Sequence, residues 1–382
     1  MLGSEFASLI GAKLIGKDFS VTNLCTDTRQ IQAGDFFIAL SGERFDAHEF
    51  LSDAQQKGAV GALVSKLVPN LDLPCILVPD VRLAFAQYSK WWREQFDLSV
   101  VALTGSCGKT TCKEMIASIL SEASPTLYTQ GNFNNEIGCP LTLLKLNATH
   151  RYAVIELGAN RPGDIVYTGS LTRPDVALVT MVAEAHLDGF GSLANVARTK
   201  GEIYQCIKPG GTAIINADDA FAGYWRGMAS QYRQICFSMH AQSDASIKLM
   251  QLTIQPGGTI QFDVWVDGVI EPISLPILGK HNVQNALAAI AVARALNFEM
   301  DVIRRGLAKL KSVPGRLFPL RLPNALNVID DTYNANPASM KAAIDVLADV
   351  PGQRILVIGK MAELGANSAD LHVDVIDHAK KK

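Results

Sequence analysis

Four short runs in the middle of the chain, Ser99 to Leu103, Tyr152 to Leu157, Val176 to Val179 and Thr212 to Ile215, are apolar at nearly every position and rich in β-branched residues. A strand with one wet face alternates apolar and polar side chains, whereas a strand covered on both faces does not. Stretches with helical spacing separate the runs, so the pattern predicts an α/β chain built on a mostly parallel, doubly wound sheet. Such a sheet needs a large core, and 48% hydrophobic against 19% charged residues in a chain of 382 supply one.

The flanks read differently. Residues 1 to 80 carry β-rich runs around Val21, Phe36 to Ile38, Ala62 to Val64 and Ile76 to Val78, with a helix from His48 to Lys57, which predicts a small α/β unit. Val81, Phe85, Tyr88 and Trp92 recur at helical spacing over 81 to 96. From 245 to 278 the pattern turns β-rich, with a turn expected at Pro256-Gly257-Gly258, and an Ala-rich helix is expected from Asn282 to Leu296. Pro314-Gly315 marks a junction. Beyond it a strand is expected at Leu326 to Ile329, a helix at Pro337 to Leu347 and a strand at Ile355 to Ile358. Three domains follow, 1–80, 81–312 and 313–382, the last expected to be incomplete because two strands and two helices make a poor independent α/β domain.

The formal net charge of -2 lacks the basic excess of a nucleic-acid binder. Seven cysteines with no Cys-x-x-Cys pair read as reduced thiols of a cytoplasmic protein. No signal peptide is evident at the start, and no run approaches the ~20 apolar residues that would cross a bilayer. No membrane insertion is expected.

The run ending at Leu103 leads into Thr104-Gly105-Ser106-Cys107-Gly108-Lys109-Thr110-Thr111 and then a helix. Strand, glycine-containing loop and helix together make a phosphate cradle, because glycines let backbone N–H groups approach an anion and the helix start adds positive dipole. Lys109 is placed to reach β- and γ-phosphate oxygens, and the Thr110 hydroxyl to ligate Mg²⁺. The strict eight-residue phosphate-loop pattern is not met, because Leu103 stands where its first glycine would be. Cys107 reads as a tolerated small residue rather than a nucleophile, since no activating partner is apparent.

Ligands of open α/β sheets sit beyond the carboxyl ends of the strands. Glu156 ends one run, and His186 follows another in Ala185-His186-Leu187-Asp188. Singly, each is as well explained by an ordinary hydrogen bond; at neighbouring strand ends they suit a divalent cation. Lys200, taken alone, reads as a solvated helical lysine. The segment Tyr128 to Gly138, with Asn132, Asn134 and Asn135, fits a binding loop or an ordinary cluster of turns.

In order along the chain, TDTRQIQAGDFFIALSGERFDAHEF (26–50), TGSCGKTT (104–111), GNFNNEIG (131–138), ELGAN (156–160), AHLDGFGS (185–192), TKGEI (199–203), GKHNVQNALAA (279–289), PGR (314–316) and DDTYNANPASM (330–340) resemble the Mur ligase family. These enzymes build the peptide stem of cell-wall precursors. The resemblance implies an N-terminal domain for the UDP end of the substrate, a central ATPase and a Rossmann-like C-terminal lid. It implies ATP and Mg²⁺ as cofactors, with Gly105 to Thr111, Asn282, Arg316 and Asp331 on the nucleotide. Thr110, Glu156 and His186 become metal-site residues. Lys200 aligns with a lysine that is carbamylated in several family members, which would make it a further ligand. Asp27, Thr28, Arg29, Phe45, Asp46 and His48, with Asn134 and Asn135, become the precursor surface. The segments FDAHEF and DDTYNANPASM point to the branch that joins D-alanyl-D-alanine to UDP-N-acetylmuramoyl-tripeptide through an acyl phosphate. One departure is Lys360 before Met361, where the family usually has an acidic residue. A monomer is expected. The alternatives are the diaminopimelate- or lysine-adding branch, a folylpolyglutamate-synthase-like ligase that would lack the first 80 residues, and a nucleotide-binding regulatory module. No Asn-Lys-x-Asp segment for reading guanine is present.

Overall fold

The computed structural model describes residues 1–42, 45–183, 187–255, 259–323 and 326–382. The expected turn at 256–258 and the candidate His186 lie outside the described residues. The chain divides into two compact units, Met1–Phe96 and Asp97–Lys382.

The first unit begins with α1 (Gly3–Leu9) and holds strands β1 (Lys13–Ile15), β2 (Asn23–Cys25), β3 (Asp35–Ile38), β4 (Gly61–Val64) and β5 (Cys75–Leu77), with α2 (Leu51–Gln56) and α3 (Val81–Glu94). Its sheet runs β1-β5-β4-β3-β2, parallel except for β1. Strands β3 and β4 are buried at every position, as the apolar runs Phe36 to Ile38 and Gly61 to Val64 require, while Asp35 at the start of β3 is buried with the Asn23 amide and the Gln32 N–H donating to it. Asp80 caps α3 by accepting the Arg82 and Leu83 N–H groups at 2.8 and 3.1 Å. Within this unit α3 packs its apolar stripe inward, with Tyr88 stacked on Phe6 at 4.3 Å. The junction expected near residue 80 thus falls at the cap of a helix that packs with what precedes it.

The second unit holds a nine-stranded sheet of β6 (Ser99–Thr104), β7 (Thr126–Tyr128), β8 (Tyr152–Glu156), β9 (Val176–Val179), β10 (Thr212–Asn216), β11 (Arg233–Ser238), β12 (Ile247–Ile254), β13 (Ile260–Val266) and β14 (Val269–Leu275). The order is β14-β13-β12-β11-β10-β9-β6-β8-β7. From β7 to β12 all pairings are parallel, and the pairings of β12 with β13 and of β13 with β14 are antiparallel. Its helices are α4 (Lys109–Ser121), α5 (Gly138–Leu143), α6 (Asp164–Thr172), α7 (Leu187–Phe190), α8 (Leu193–Gly201), α9 (Ala222–Met228), α10 (His281–Ala295) and α11 (Met300–Ala308). The α10 helix is apolar on nearly all sides because it is enclosed, packed on α4 and on β10, β11 and β12.

The chain ends in an antiparallel pair, β15 (Phe318–Arg321) with β16 (Asn327–Asp330), and in α12 (Pro337–Ala348) and α13 (Ser368–Lys380). Ile344, Met361, Leu364 and Val375 form a small core there. The strand expected at Ile355 to Ile358 does not form. No strand pairs with it among the described residues, and its side chains are 40–88% exposed, so neither ladder nor burial holds it extended. Conversely β15 forms where no strand is expected, and in a two-stranded ribbon the missing N–H of Pro319 is harmless.

Candidate active site

Strand β6 lies between β8 and β9, so the order of the sheet reverses there. Crevices at such points are where open α/β sheets bind ligands. The register sets Leu103 opposite Glu156 and Thr104 opposite Val179, which flanks the loop after β6 with Glu156 and Thr180. That loop is held open by glycine. A Cβ on Gly105 (φ +153°) would lie 1.8 Å from Thr180 Oγ1, and one on Gly108 (φ +79°) 2.4 Å from Asn285 Oδ1. The loop is laced to the end of β9: Ser106 N–H donates to Met181 O at 2.8 Å, its hydroxyl to Ala183 O at 3.0 Å, and the Thr180 hydroxyl to Cys107 O at 2.6 Å. Lys109 Nζ donates to Gly105 O at 2.8 Å, over the loop. Burial lowers the Lys109 ammonium, with Glu156 opposing. Lys109, Thr110 and Thr111 form the start of α4, where Gly108 supplies no side-chain cap, so the first N–H groups stay free of a capping side chain.

This loop forms one wall of a cleft of about 280 Å³. His281, Asn282 and Asn285 at the start of α10 form a second wall, and Arg316, Asp331 and the start of α12 a third. The Arg316 guanidinium lies over the Tyr333 ring at 4.4 Å. Asp331 accepts the Leu317 N–H at 3.0 Å, and burial raises its carboxyl. Asn282 donates to Leu278 O at 2.6 Å and accepts from Asn285 Nδ2 at 2.9 Å. Asn336 caps α12 by accepting the Ser339 N–H at 2.9 Å, and its amide donates to Cys107 Sγ at 3.0 Å. Sequence reasoning reached Asn282, Arg316 and Asp331 but missed Thr180, His281, Asn285 and Asn336. Asn336-Pro337 does carry a helix-start signature, though that signature speaks of a cap and not of a site.

Glu156 is 2% exposed. Its Oε1 accepts from Asn134 Nδ2 at 2.9 Å, while Oε2 is buried with no partner. A buried carboxylate oxygen left so is costly in water-free surroundings and suits a cation. Asn134, expected at the substrate surface, therefore spends its amide on Glu156; Asn135 spends its carbonyl on the Gly138 N–H at 2.8 Å. Lys200, on α8, is 1% exposed, which overturns the reading of a solvated lysine. Burial pushes its amine down to about 7, the Lys109 charge adding to the effect and Glu156 opposing it. Its Nζ lies 6.0 Å from the Phe190 ring. Among the described residues no three His, Cys, Asp or Glu cluster as a metal cage. Mg²⁺ bound with a phosphate substrate needs only one or two protein carboxylates, so the Thr110 hydroxyl and Glu156 Oε2 fit it.

In the first unit, Asp27 is held below the usual carboxylate range by hydrogen bonds from Arg29, whose guanidinium approaches to 2.7 Å. Lys57 Nζ donates to Thr28 O at 3.1 Å. Phe45 is 58% exposed. Asp46 accepts from Lys66, His48 and Ser41, which depresses its carboxyl strongly. His48 is buried and both ring nitrogens are engaged: Nδ1 lies 2.6 Å from Asp46 Oδ1, and Nε2 accepts the Ser65 N–H at 2.9 Å. Through Nδ1 the ring thus holds Asp46 in place.

Two family profiles match the chain, Mur ligase middle domain over residues 103–293 and Mur ligase, glutamate ligase domain, over 315–382. The UDP-N-acetylmuramoyl-tripeptide--D-alanyl-D-alanine ligase of Escherichia coli is 47% identical over 99% of this chain and 83% of its own length. The structure of MurF from Acinetobacter baumannii superposes with a TM-score of 0.93 at 38% identity, covering 99% of this chain and 83% of that one. MurF from Thermotoga maritima, solved in complex with ADP, gives 0.84 at 29% identity over 94% and 82%. No helix among the described residues is long and apolar enough to cross a membrane.

Proposed function

The chain belongs to the Mur ligase family, and on that premise we propose that it joins D-alanyl-D-alanine to UDP-N-acetylmuramoyl-tripeptide at the expense of ATP. The observation that carries the chemistry is the single unpartnered oxygen of buried Glu156 beside a glycine-walled phosphate loop, with the buried amines of Lys109 and Lys200 as its neighbours. Choice of the dipeptide as acceptor rests on the relatives' names and on the segment Asp330 to Met340.

A carboxylate repels an attacking amine, so it must first be activated. Its oxygen takes the γ-phosphoryl group of ATP, giving an acyl phosphate and ADP. The dipeptide amine then attacks the carbonyl carbon, and the tetrahedral intermediate expels phosphate as the amide forms. The chain's task is to hold two anions together and to screen their charge. Lys109 and the N–H groups opening α4 do this for the phosphates, and Arg316 and Asp331 hold the rest of the nucleotide. Thr110 and Glu156 would hold Mg²⁺, which would supply charge neutralisation for the transferring phosphoryl group. Lys200 extends this set once its neutral amine adds CO₂, forming a C–N bond and releasing a proton to leave a carbamate. An amine pushed down to about 7 is substantially neutral at physiological pH, as that addition requires. Asp27, Thr28, Arg29, Phe45 and Asp46 receive the UDP end. The seven unpaired thiols support a cytoplasmic setting, and we take the working form to be a monomer.

Phosphate release should need ATP, the UDP-tripeptide and D-alanyl-D-alanine together. Release that instead needs the precursor one residue shorter together with diaminopimelate or lysine would move the assignment to the other branch, and release without any acceptor would reduce it to an ATPase.

A further inference from the structure

Lys113 follows Lys109 by one helical turn on α4, yet the chemistry above makes no use of it. It is 1% exposed. Its Nζ donates to Thr129 O at 2.6 Å, pairs with Glu114 Oε1 at 3.0 Å and lies 5.6 Å from the Tyr128 ring. Burying an ammonium group costs several kcal/mol even when it is paired. Methionine would fill the same length without that cost, so packing alone does not account for the charge.

What the ammonium holds is informative. Thr129 is wholly buried, and its remaining polar groups are committed. Its N–H donates to Val154 O at 3.1 Å, and its Oγ1 accepts the Glu156 N–H at 3.0 Å. Thr129 also opens the segment that carries Asn134, whose amide fixes Glu156 Oε1 at 2.9 Å. Glu156 is therefore gripped twice, at its backbone by Thr129 and at its side chain by Asn134. The first grip is made by the residue that Lys113 anchors to α4, the helix that begins with Lys109, and the second by a residue further along the segment that Thr129 opens.

We propose that Lys113 is a positioning residue for Glu156, coupling the phosphate-loop helix to the metal-binding carboxylate through Thr129. The proposal rests on Glu156 being a ligand of the divalent cation. Its test is Mn²⁺ binding to the full chain with ADP present, followed by electron paramagnetic resonance, beside binding of a fluorescent ADP in EDTA. Lys113→Met should weaken Mn²⁺ about tenfold, as removal of outer-shell partners does, and leave metal-free ADP binding within about twofold. Thr129→Val, nearly isosteric, should weaken Mn²⁺ in the same way. The double variant should be about as weak as the weaker single one, because both act through one chain of contacts. Mn²⁺ affinity unchanged in Lys113→Met, or falling in step with ADP affinity, overturns the proposal. If Lys113→Met does not fold, Thr129→Val decides: unchanged Mn²⁺ affinity there overturns it too. Absence of Mn²⁺ binding to the unaltered protein would instead strike the reading of Glu156.

Discussion

Replacing Lys200 with Met should make this protein more stable and less active at once. The amine falls from 10.5 in the open chain to about 7 in the fold, with burial the leading cause. Below pH 7 both states hold the proton, and the fold carries the whole cost of a buried ammonium, roughly 5 kcal/mol by linkage. Between pH 7 and 10.5 the folded state has released its proton and the unfolded state has not. The unfolded state then binds more protons, so stability rises with pH across that window and the cost has vanished at its top. Methionine keeps the length, suits the neighbouring Phe190 ring and removes the amine. Allowing for imperfect packing, the gain near pH 7 should be about 2–4 kcal/mol.

Urea titrations of both proteins in CO₂-free buffer, from about pH 6 to 9.5, measure this as a shift in midpoint at constant slope. Other titrating groups cancel in the difference between the two proteins, which should narrow as pH rises. Added bicarbonate should stabilise only the lysine protein, because a carbamate formed in the fold draws the equilibrium toward it. A methionine variant no more stable than the parent at pH 7, or a gap that does not narrow with pH, refutes the buried-amine argument. Wild-type activity in the variant sinks the carbamate.

Lys109→Met should lower the rate of phosphate release on the order of 10²-fold while KM for the UDP-tripeptide holds, since the lost charge acts on the transferring group. Gly108→Ala forces a Cβ to 2.4 Å from Asn285 Oδ1 in a left-handed backbone conformation; thermal denaturation should show a loss of about 2–4 kcal/mol, and ADP should raise its Tm less than the parent's. Cys107 is only partly buried within the cleft, whereas Cys25, Cys75, Cys112 and Cys139 are buried. Mass spectrometry after maleimide treatment should find Cys107 modified and ADP slowing the reaction, and equal rates with and without ADP would place the thiol outside the nucleotide's reach.

How much of this was legible in the sequence depends on what each feature needs. Strand β9 is found where its apolar run predicts it, and β6, β8 and β10 extend or end within a residue of theirs, because burial on both faces leaves an unbroken local signature. The phosphate loop was legible for a similar reason: its glycines and lysine act within a few residues of chain. Ile355 to Ile358 carries the same apolar signature and forms no strand, because a strand also needs a neighbour, and sequence pattern does not report pairing. Lys200 and Lys113 are the sharper lesson. Neither composition nor helical spacing separates a buried lysine from a solvated one; the difference lies in Phe190 and Lys109 for the first and in Thr129 for the second, each brought near by the fold. His48 lies in a motif that implies the precursor surface, and the motif does not report that both its ring nitrogens are engaged by Asp46 and Ser65. Residues that touch a phosphate can be read from local sequence because the loop that presents them is local. Residues that aim those groups, such as Thr180, Asn134 and Asn336, are reached only through contacts between distant strand and helix ends, and there the sheet's order, not its sequence, decides the site.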